Sequence, residues 1–187
     1  MDTRDPHEAA AAYNRSAKEQ SWQSVCHAAL SFQRRELCAL LEIWQSLAQP
    51  GRFPRRKDFT PGLLRAYLPN VAIYESIEAE GRRRWRARVM GTRFNEVLGD
   101  FTGRFFDDVM PPHIARRWHA TPDAALAAGA PLRFVSRLET ANRGYITGEY
   151  LVAPLLGDDA EANTVLSCGF FGATHADPRK TSAGATA

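Results

Sequence analysis

The sequence is poor in cysteine: it has three in 187 residues, Cys26, Cys38 and Cys168, and no two of them form a Cys-x-x-Cys pair. An odd, widely spaced set argues against a disulfide framework and indicates a reducing compartment. No apolar run approaches the roughly 20 residues of a membrane-spanning helix, and the first residues contain no apolar signal-peptide core. We therefore expect a soluble, cytoplasmic protein.

Motifs of common catalytic centres are also missing. The chain has no glycine-rich nucleotide loop, no His-Glu-x-x-His zinc motif and no Gly-x-Ser-x-Gly nucleophile elbow. Its adjacent carboxylates, Asp107-Asp108 and Asp158-Asp159, are more typical of turns than of acid–base pairs. We expect no enzymatic activity, no catalytic residue and no metal site.

Charge of one sign is not in excess, because the formal net charge is only +3. Arginines cluster at 82–84, 86 and 88, but Glu75, Glu78 and Glu80 lie on the preceding predicted strand, where cross-strand ion pairs are expected. Few aromatic residues interleave these arginines, so a base-stacking surface is not indicated. We expect a solvated, charge-paired strand face, with neither nucleic acid nor membrane as a partner.

An amphipathic helix is predicted between Phe32 and Leu47, ending at Pro50-Gly51. Its apolar residues recur at spacings of three and four, which places them on one helix face. They are Leu37, Leu40, Leu41, Trp44 and Leu47. Such a stripe either covers an open sheet face or pairs with a second copy, and we expect a homodimer formed through it.

Further along the chain, strand patterns dominate. Five strands are predicted, over 71–77, 84–90, 132–138, 145–155 and 164–171. Between the second and third strands we expect short helices, at 92–98 and around Phe105-Phe106, and a longer one over 112–128 that Pro122 interrupts. A further short helix is expected over 62–67. This order predicts an α+β fold, with a five-stranded antiparallel sheet whose helices cover one face.

The same patterns divide the chain into four parts. Residues 1–30 are read as an N-terminal extension, partly helical or disordered, and 31–69 as the amphipathic helix plus a connector. Residues 70–173 form the core domain. Residues 174–187 are rich in Pro, Ser, Gly and Ala without an apolar pattern, and they are expected to be a disordered tail.

With these segments in this order, the chain resembles the PAS domain family, and more narrowly its single-domain bacterial group of mostly uncharacterised proteins. The resemblance spans residues 37–172. The matching segments are Gly51-Arg52-Phe53-Pro54, Leu68-Pro69-Asn70-Val71, Arg86-Ala87-Arg88-Val89-Met90-Gly91-Thr92, Leu98-Gly99-Asp100-Phe101-Thr102-Gly103 and Ala153-Pro154-Leu155. The resemblance implies a curved sheet around a ligand cavity, a sensing or protein-contact role, and no catalytic residue.

Candidate pocket residues follow from strand alternation and from the intervening helices. They are Trp85, Val89, Arg93, Phe94, Leu98, Phe106, Trp118, Phe134, Tyr150 and Phe170. The competing interpretation is that the apolar members simply fill a packed core. Arg93 begins a helix directly after a strand, so it either holds an anionic ligand at the cavity mouth or binds a carbonyl or Asp107 structurally.

Two histidines give an alternative function. His113 and His119 lie six residues apart on the predicted long helix, about 600° of rotation, so they cannot share one metal. Either one is a candidate axial ligand for haem, as the resemblance implies for some sensors of this family. The flavin-binding subgroup needs a cysteine in the helical region after the second strand, and residues 92–109 contain none. The cofactor therefore stays unknown.

The sequence thus predicts a non-enzymatic regulatory protein that acts through protein contacts gated by a small ligand in the cavity. A haem-bearing or other redox or gas sensor is the alternative. No kinase, cyclase or DNA-binding motif is present, so we expect the output to pass to a separate signalling protein.

Overall fold

The centre of the molecule is a six-stranded sheet in which all neighbouring strands are antiparallel. The computed structural model describes residues 5–140 and 144–172; the expected tail at 174–187 lies outside these ranges. The strands are β1 (Ser24–His27), β2 (Val71–Ala79), β3 (Arg82–Met90), β4 (Leu132–Thr140), β5 (Gly144–Leu155) and β6 (Thr164–Gly172). Their order across the sheet is β1-β4-β5-β6-β2-β3.

Five α-helices pack on this sheet: α1 (Pro6–Glu19), α2 (Arg35–Leu47), α3 (Thr92–Leu98), α4 (Phe106–Val109) and α5 (Pro112–Ala128). The bounds predicted for α3 and α5 are confirmed. The predicted interruption of α5 is wrong, because the buried Pro122 lies inside a continuous helix whose packing offsets the missing hydrogen bond. Residues 61–67 form successive turns instead of the expected helix, since a segment this short before Pro69 cannot sustain one. In the described part of the chain, no helix is long and apolar enough to cross a bilayer.

The sixth strand comes from the segment expected to be an extension. Strand β1 pairs with β4, with Ser24 opposite Ser136. Helix α1 holds this strand in place, because the Asn14 side chain donates to Cys26 O and accepts from Cys26 N, both at 2.8 Å. The buried residues of α1 are three alanines and Tyr13, so its sequence carries only a weak hydrophobic stripe.

Helices cover both faces of the sheet, so the expectation of helices on one face is corrected. One core contains α1, α3, α4 and α5, and the other contains α2 with the connector residues Phe59 and Leu64. Strand β5 serves both cores by simple alternation, since Tyr150 and Val152 face the first and Leu151 and Ala153 face the second.

The apolar stripe of α2 covers the second face of the chain's own sheet. Leu37, Leu40 and Trp44 are buried there, and Trp44 Nε1 donates to Pro154 O at 2.9 Å. Leu41 and Leu47 are half-buried against the same core. The stripe is therefore the sheet-capping device and not the exposed dimer interface that was expected.

Candidate functional site

A small cavity lies between α5 and the inner face of the sheet. Its volume is about 30 Å³. Its lining residues are Tyr74, Arg117, Trp118, Thr121, Pro122, Phe134, Ser136, Tyr150, Val152 and Ser167. The wall is therefore mixed, with aromatic and aliphatic surface broken by hydroxyl groups and one guanidinium.

Two periodicities bring these residues together. Strand alternation supplies pairs spaced by two on the same face, Phe134 with Ser136 and Tyr150 with Val152. Helix α5 supplies residues 117, 118, 121 and 122, the one-turn spacing of a single helix face. The cavity is thus built on rigid elements and not on loops.

Two glycines make room for the Tyr150 ring. Gly169 lies directly opposite Tyr150 on β6, and a Cβ atom there would come within 2.6 Å of the ring. Gly148, two residues before Tyr150 on β5, would bring a Cβ atom within 2.6 Å of the phenol oxygen. Any side chain at either position would displace the ring. The two glycines thereby fix where the Tyr150 hydroxyl lies.

The hydroxyl groups of Tyr74 and Tyr150 have no hydrogen-bond partner among the described residues. Both side chains are deeply buried, with 2% and 6% of their residue surface exposed. Burial raises the pKa of both phenols well above the ordinary value, so they remain protonated and able to donate. Unpaired buried hydroxyls are costly, and they mark a place where a further acceptor would be stabilised.

A chain of hydroxyls reaches the cavity from its N-terminal side. The Tyr13 hydroxyl donates to Ser24 Oγ at 2.8 Å, and Ser24 Oγ lies 2.7 Å from Ser136 Oγ, which lines the cavity. All three residues are buried. Helix α1 and strand β1 are thereby coupled to the cavity wall.

Among the described residues, Arg117 is the one cation that lines the cavity, and its side chain is half-buried. It makes no ion pair with any side chain that the structure describes. By contrast, the buried Arg133 is paired with Glu149 at 2.7 Å. Burial raises the pKa of the Tyr150 phenol, and the positive charge of Arg117 offsets part of that rise.

Seven of the ten predicted pocket residues fall into two groups around this cavity. Trp118, Phe134 and Tyr150 line it. Trp85, Phe94, Leu98 and Phe106 belong to the surrounding core. Phe106 packs edge-on against Tyr74 with ring centroids 5.0 Å apart, and Trp85 Nε1 donates to Asp123 at 2.9 Å.

Three predicted pocket residues lie elsewhere, and Val89 is the first. Arg88 is an extra residue in β3, because Ile73 pairs with Val89 whereas Tyr74 pairs with Ala87. This β-bulge reverses the alternation, so Val89 is exposed and Met90 packs on the inner core instead.

Arg93 and Phe170 are the other two. The Arg93 side chain is 63% exposed and pairs with Glu96 at 2.7 Å, so it reaches neither the cavity nor Asp107. Phe170 packs on the α2 side of the sheet, beneath the guanidinium of Arg34. Phe171, the next residue, lies on the cavity side, edge-on to Phe94 at 5.2 Å.

Sequence reasoning missed seven of the ten lining residues: Tyr74, Arg117, Thr121, Pro122, Ser136, Val152 and Ser167. Tyr74 lies in an apolar run, Val71–Tyr74, in which all four residues are buried, so the sequence shows no alternation there. The serines resemble ordinary strand residues. Their signal is spacing, since each lies two residues from another inward-facing position.

Neither histidine considered for haem lines the cavity. His113 is exposed. His119 Nε2 donates to Asp107 Oδ1 at 2.7 Å, and the same carboxylate pairs with Arg84 at 3.0 Å. Cofactor sites have volumes of about 300–1,000 Å³, so a cavity of about 30 Å³ does not fit haem or flavin. Within the described ranges, no three metal-ligating side chains cluster.

The arginine-rich strand face is charge-paired. Arg86 and Arg88 both bind Glu75, the latter at 2.9 Å. Asp158 binds Arg56 at 2.7 Å and Arg88 at 3.4 Å. The predicted cross-strand pairing between β2 and β3 is confirmed for Glu75.

Comparison with known proteins assigns most of the chain to a family. A family model described as a PAS domain matches residues 32–169. None of the curated proteins matches the sequence.

Two solved structures are similar to this chain. One is an RNA-binding light-oxygen-voltage receptor, with 16% sequence identity and a TM-score of 0.38 over 66% of this chain. The other is a point variant of RsLOV, with 17% identity and a TM-score of 0.37 over 68% of this chain. The chain spans 35% of the receptor's length and 75% of that of the RsLOV variant.

Proposed function

This chain belongs to the PAS domain family, and from that premise we propose that it is a non-enzymatic sensory protein whose protein contacts are gated by a small ligand. Membership of the family implies a sensory or regulatory role. The observation that carries the ligand is the pair of buried, unpaired hydroxyls of Tyr74 and Tyr150, which belong to two residues that line the same small cavity. A ligand that accepts from them removes a cost that the empty fold bears.

Strand β5 supplies a route from the cavity to the outer surface. A ligand that moves the Tyr150 ring acts on a strand whose next residue, Leu151, is fully buried in the α2 core. If two packings of α2 on the sheet differ by a few kcal/mol, a ligand that prefers one of them shifts the population toward it. The altered α2 surface is then what a partner recognises.

The output in this proposal passes to a separate signalling protein in the cytoplasm. Homodimerisation remains a prediction, and its interface is a surface other than the buried stripe of α2. The haem alternative gains no support from this cavity, because His113 and His119 both lie outside it; His119 lines a separate, more open cleft of about 600 Å³.

Native mass spectrometry of the purified protein, compared with its denatured mass, tests this proposal. We expect extra mass that is lost on denaturation, and less of it in Ser167→Val, which replaces a hydroxyl at the cavity wall with two methyl groups. Ser46→Val, the same change on the exposed side of α2, is the matched control. A wild-type spectrum without extra mass, together with unchanged spectra for both variants, would contradict ligand gating. The same spectrum reports the oligomeric state.

A further inference from the structure

We propose that the ligand of this cavity is a small organic carboxylate, held by the guanidinium of Arg117 and the hydroxyls of Tyr74 and Tyr150. This inference rests on the proposed function, since it names the chemistry of the ligand that gates it. The chemical class of the ligand follows from the charge, the hydrogen-bond donors and the size of the cavity.

The cavity carries positive charge without a counter-charge. Arg117 is the only charged residue among the described residues that line it, and no Asp or Glu is found among them. Arg117 also has no ion-pair partner among the described side chains, whereas all five arginines of strand β3 have one. A half-buried guanidinium without a carboxylate is costly, and a ligand carboxylate would supply the missing partner.

The polar groups of the cavity are mainly donors. A guanidinium donates and does not accept, and the two phenols stay protonated because burial raises their pKa values. The Ser136 hydroxyl is already engaged with Ser24, and Thr121 donates to the carbonyl of Arg117. A carboxylate has two oxygens with about four acceptor positions, which suits one guanidinium and two phenols. A ligand amine would be repelled by the Arg117 guanidinium and would have no carboxylate among the described lining residues to accept its hydrogen bonds.

The volume limits the ligand to a short molecule. A cavity of about 30 Å³ has room for two or three waters, which is close to the size of formate or acetate. Trp118, Phe134 and Val152 provide apolar wall against a methyl group. Formate, acetate and propionate should therefore bind better than benzoate, whose ring requires the core to open.

Sodium acetate is the probe, and acetamide, which has the same shape without the charge, is its matched ligand control. We expect calorimetry and amide chemical-shift titration to detect acetate but not acetamide, with the largest shifts around residues 117 and 150. Arg117→Gln should weaken acetate binding by roughly 10- to 100-fold. Arg116→Gln is the control variant, because Arg116 is the exposed neighbour on α5 and does not line the cavity.

Conservative variants separate binding from folding. Arg117→Lys keeps the charge and should recover part of the affinity lost in Arg117→Gln. Tyr74→Phe and Tyr150→Phe should each weaken acetate by severalfold without lowering the unliganded unfolding midpoint, because each removes an unpaired buried hydroxyl.

Equal binding of acetate and acetamide, or unchanged affinity in Arg117→Gln, would overturn the inference. Bound neutral molecules in the native mass spectrum with no acetate binding would also overturn it, while leaving ligand gating intact. Absence of both bound mass and acetate binding would overturn the inference and ligand gating together.

Discussion

Single residues decide the shape of this site, and Tyr150 depends on two glycines for its position. Its ring lies against Gly169 and its hydroxyl against Gly148. These glycines are required for close approach and not for an unusual backbone conformation, so their effect is tested by adding one methyl group.

Gly148→Ala should destabilise the protein by about 1–3 kcal/mol, because the new Cβ atom would lie 2.6 Å from the Tyr150 oxygen. Gly62→Ala is the matched control, since the nearest heavy atom there is 3.9 Å away, and it should change stability by less than about 0.5 kcal/mol. Chemical denaturation measures both. Equal effects of the two substitutions would contradict the placement of the Tyr150 ring.

The ionised Asp107 carboxylate makes the free energy of unfolding depend on pH. Although burial acts to raise it, the pKa of Asp107 is held below its usual value by the hydrogen bond from His119 and by Arg84 and Arg82. A carboxylate with a lowered folded-state pKa stabilises above its unfolded value, about 4, and this stabilisation is lost as pH falls through the folded value.

Asp107→Asn should therefore be less stable than the wild type at pH 6, and the difference should shrink steadily below about pH 4. Urea denaturation at a series of pH values measures this difference. Glu161→Gln, at an exposed carboxylate that makes no ion pair with the described side chains, is the control. A difference that is constant from pH 6 to pH 2 would show that the carboxylate charge is not what stabilises the cluster.

The residue scale is also where prediction from sequence was weakest. Val89 was assigned to the wrong face because one bulged residue, Arg88, reverses a period-two pattern, and a bulge has no hydrophobic signature. Phe170 and Phe171 are adjacent and identical, so the sequence cannot say which faces inward. Arg117 was missed because whether an arginine lacks a carboxylate partner depends on the tertiary structure.

At the scale of elements, α2 is the helix whose role changed most between sequence and structure. The spacing of its apolar residues predicted the helix and its buried face. What that face covers depends on whether the sheet has an open side, and this becomes visible only when β2, β5 and β6 are placed side by side.

Leu40→Ala should lower the free energy of unfolding by about 2–5 kcal/mol, because Leu40 is fully buried in the α2 core. The oligomeric mass should not change. Leu63→Ala removes the same group from a residue that is 40% exposed, and it should have little effect. A loss of oligomer mass in Leu40→Ala without loss of stability would instead place this stripe between two copies.

Elements with strong local signals were predicted well. Helix α3 lies between two glycines, and α5 starts at Pro112 and ends before Gly129, which adopts a left-handed conformation. Strand β1 was missed because it has four residues, and the bounds of α1 were not predicted because alanine gives little hydrophobic contrast. Their pairing with β4 and α5 is a long-range contact that no local pattern encodes.

At the scale of the whole molecule, the family match begins at residue 32, yet α1 and β1 are built into the fold before it. Strand β1 covers the edge of β4, and the Tyr13 ring packs edge-on against Phe134 at 5.0 Å. The N-terminal segment therefore closes one side of the cavity region.

Deleting residues 1–30 should lower the unfolding midpoint and speed hydrogen exchange in β4, because β4 becomes an edge strand. Exchange in α2 should change less, since α2 packs in the other core. Hydrogen–deuterium exchange by mass spectrometry of the full and shortened chains measures this. Unchanged protection in β4 would contradict the pairing of β1 with that strand.

Strand β6 comes last in sequence among the strands of this sheet but lies in its interior, between β5 and β2. Until it emerges from the ribosome, β2 and β3 can form only a hairpin, separate from β1, β4 and β5. Val71 must then find Cys168 across almost a hundred intervening residues. Such non-local closure slows folding, so the newly made chain exposes both apolar faces of its sheet until β6 is added, and this interval is when the unfinished sheet is most open to aggregation.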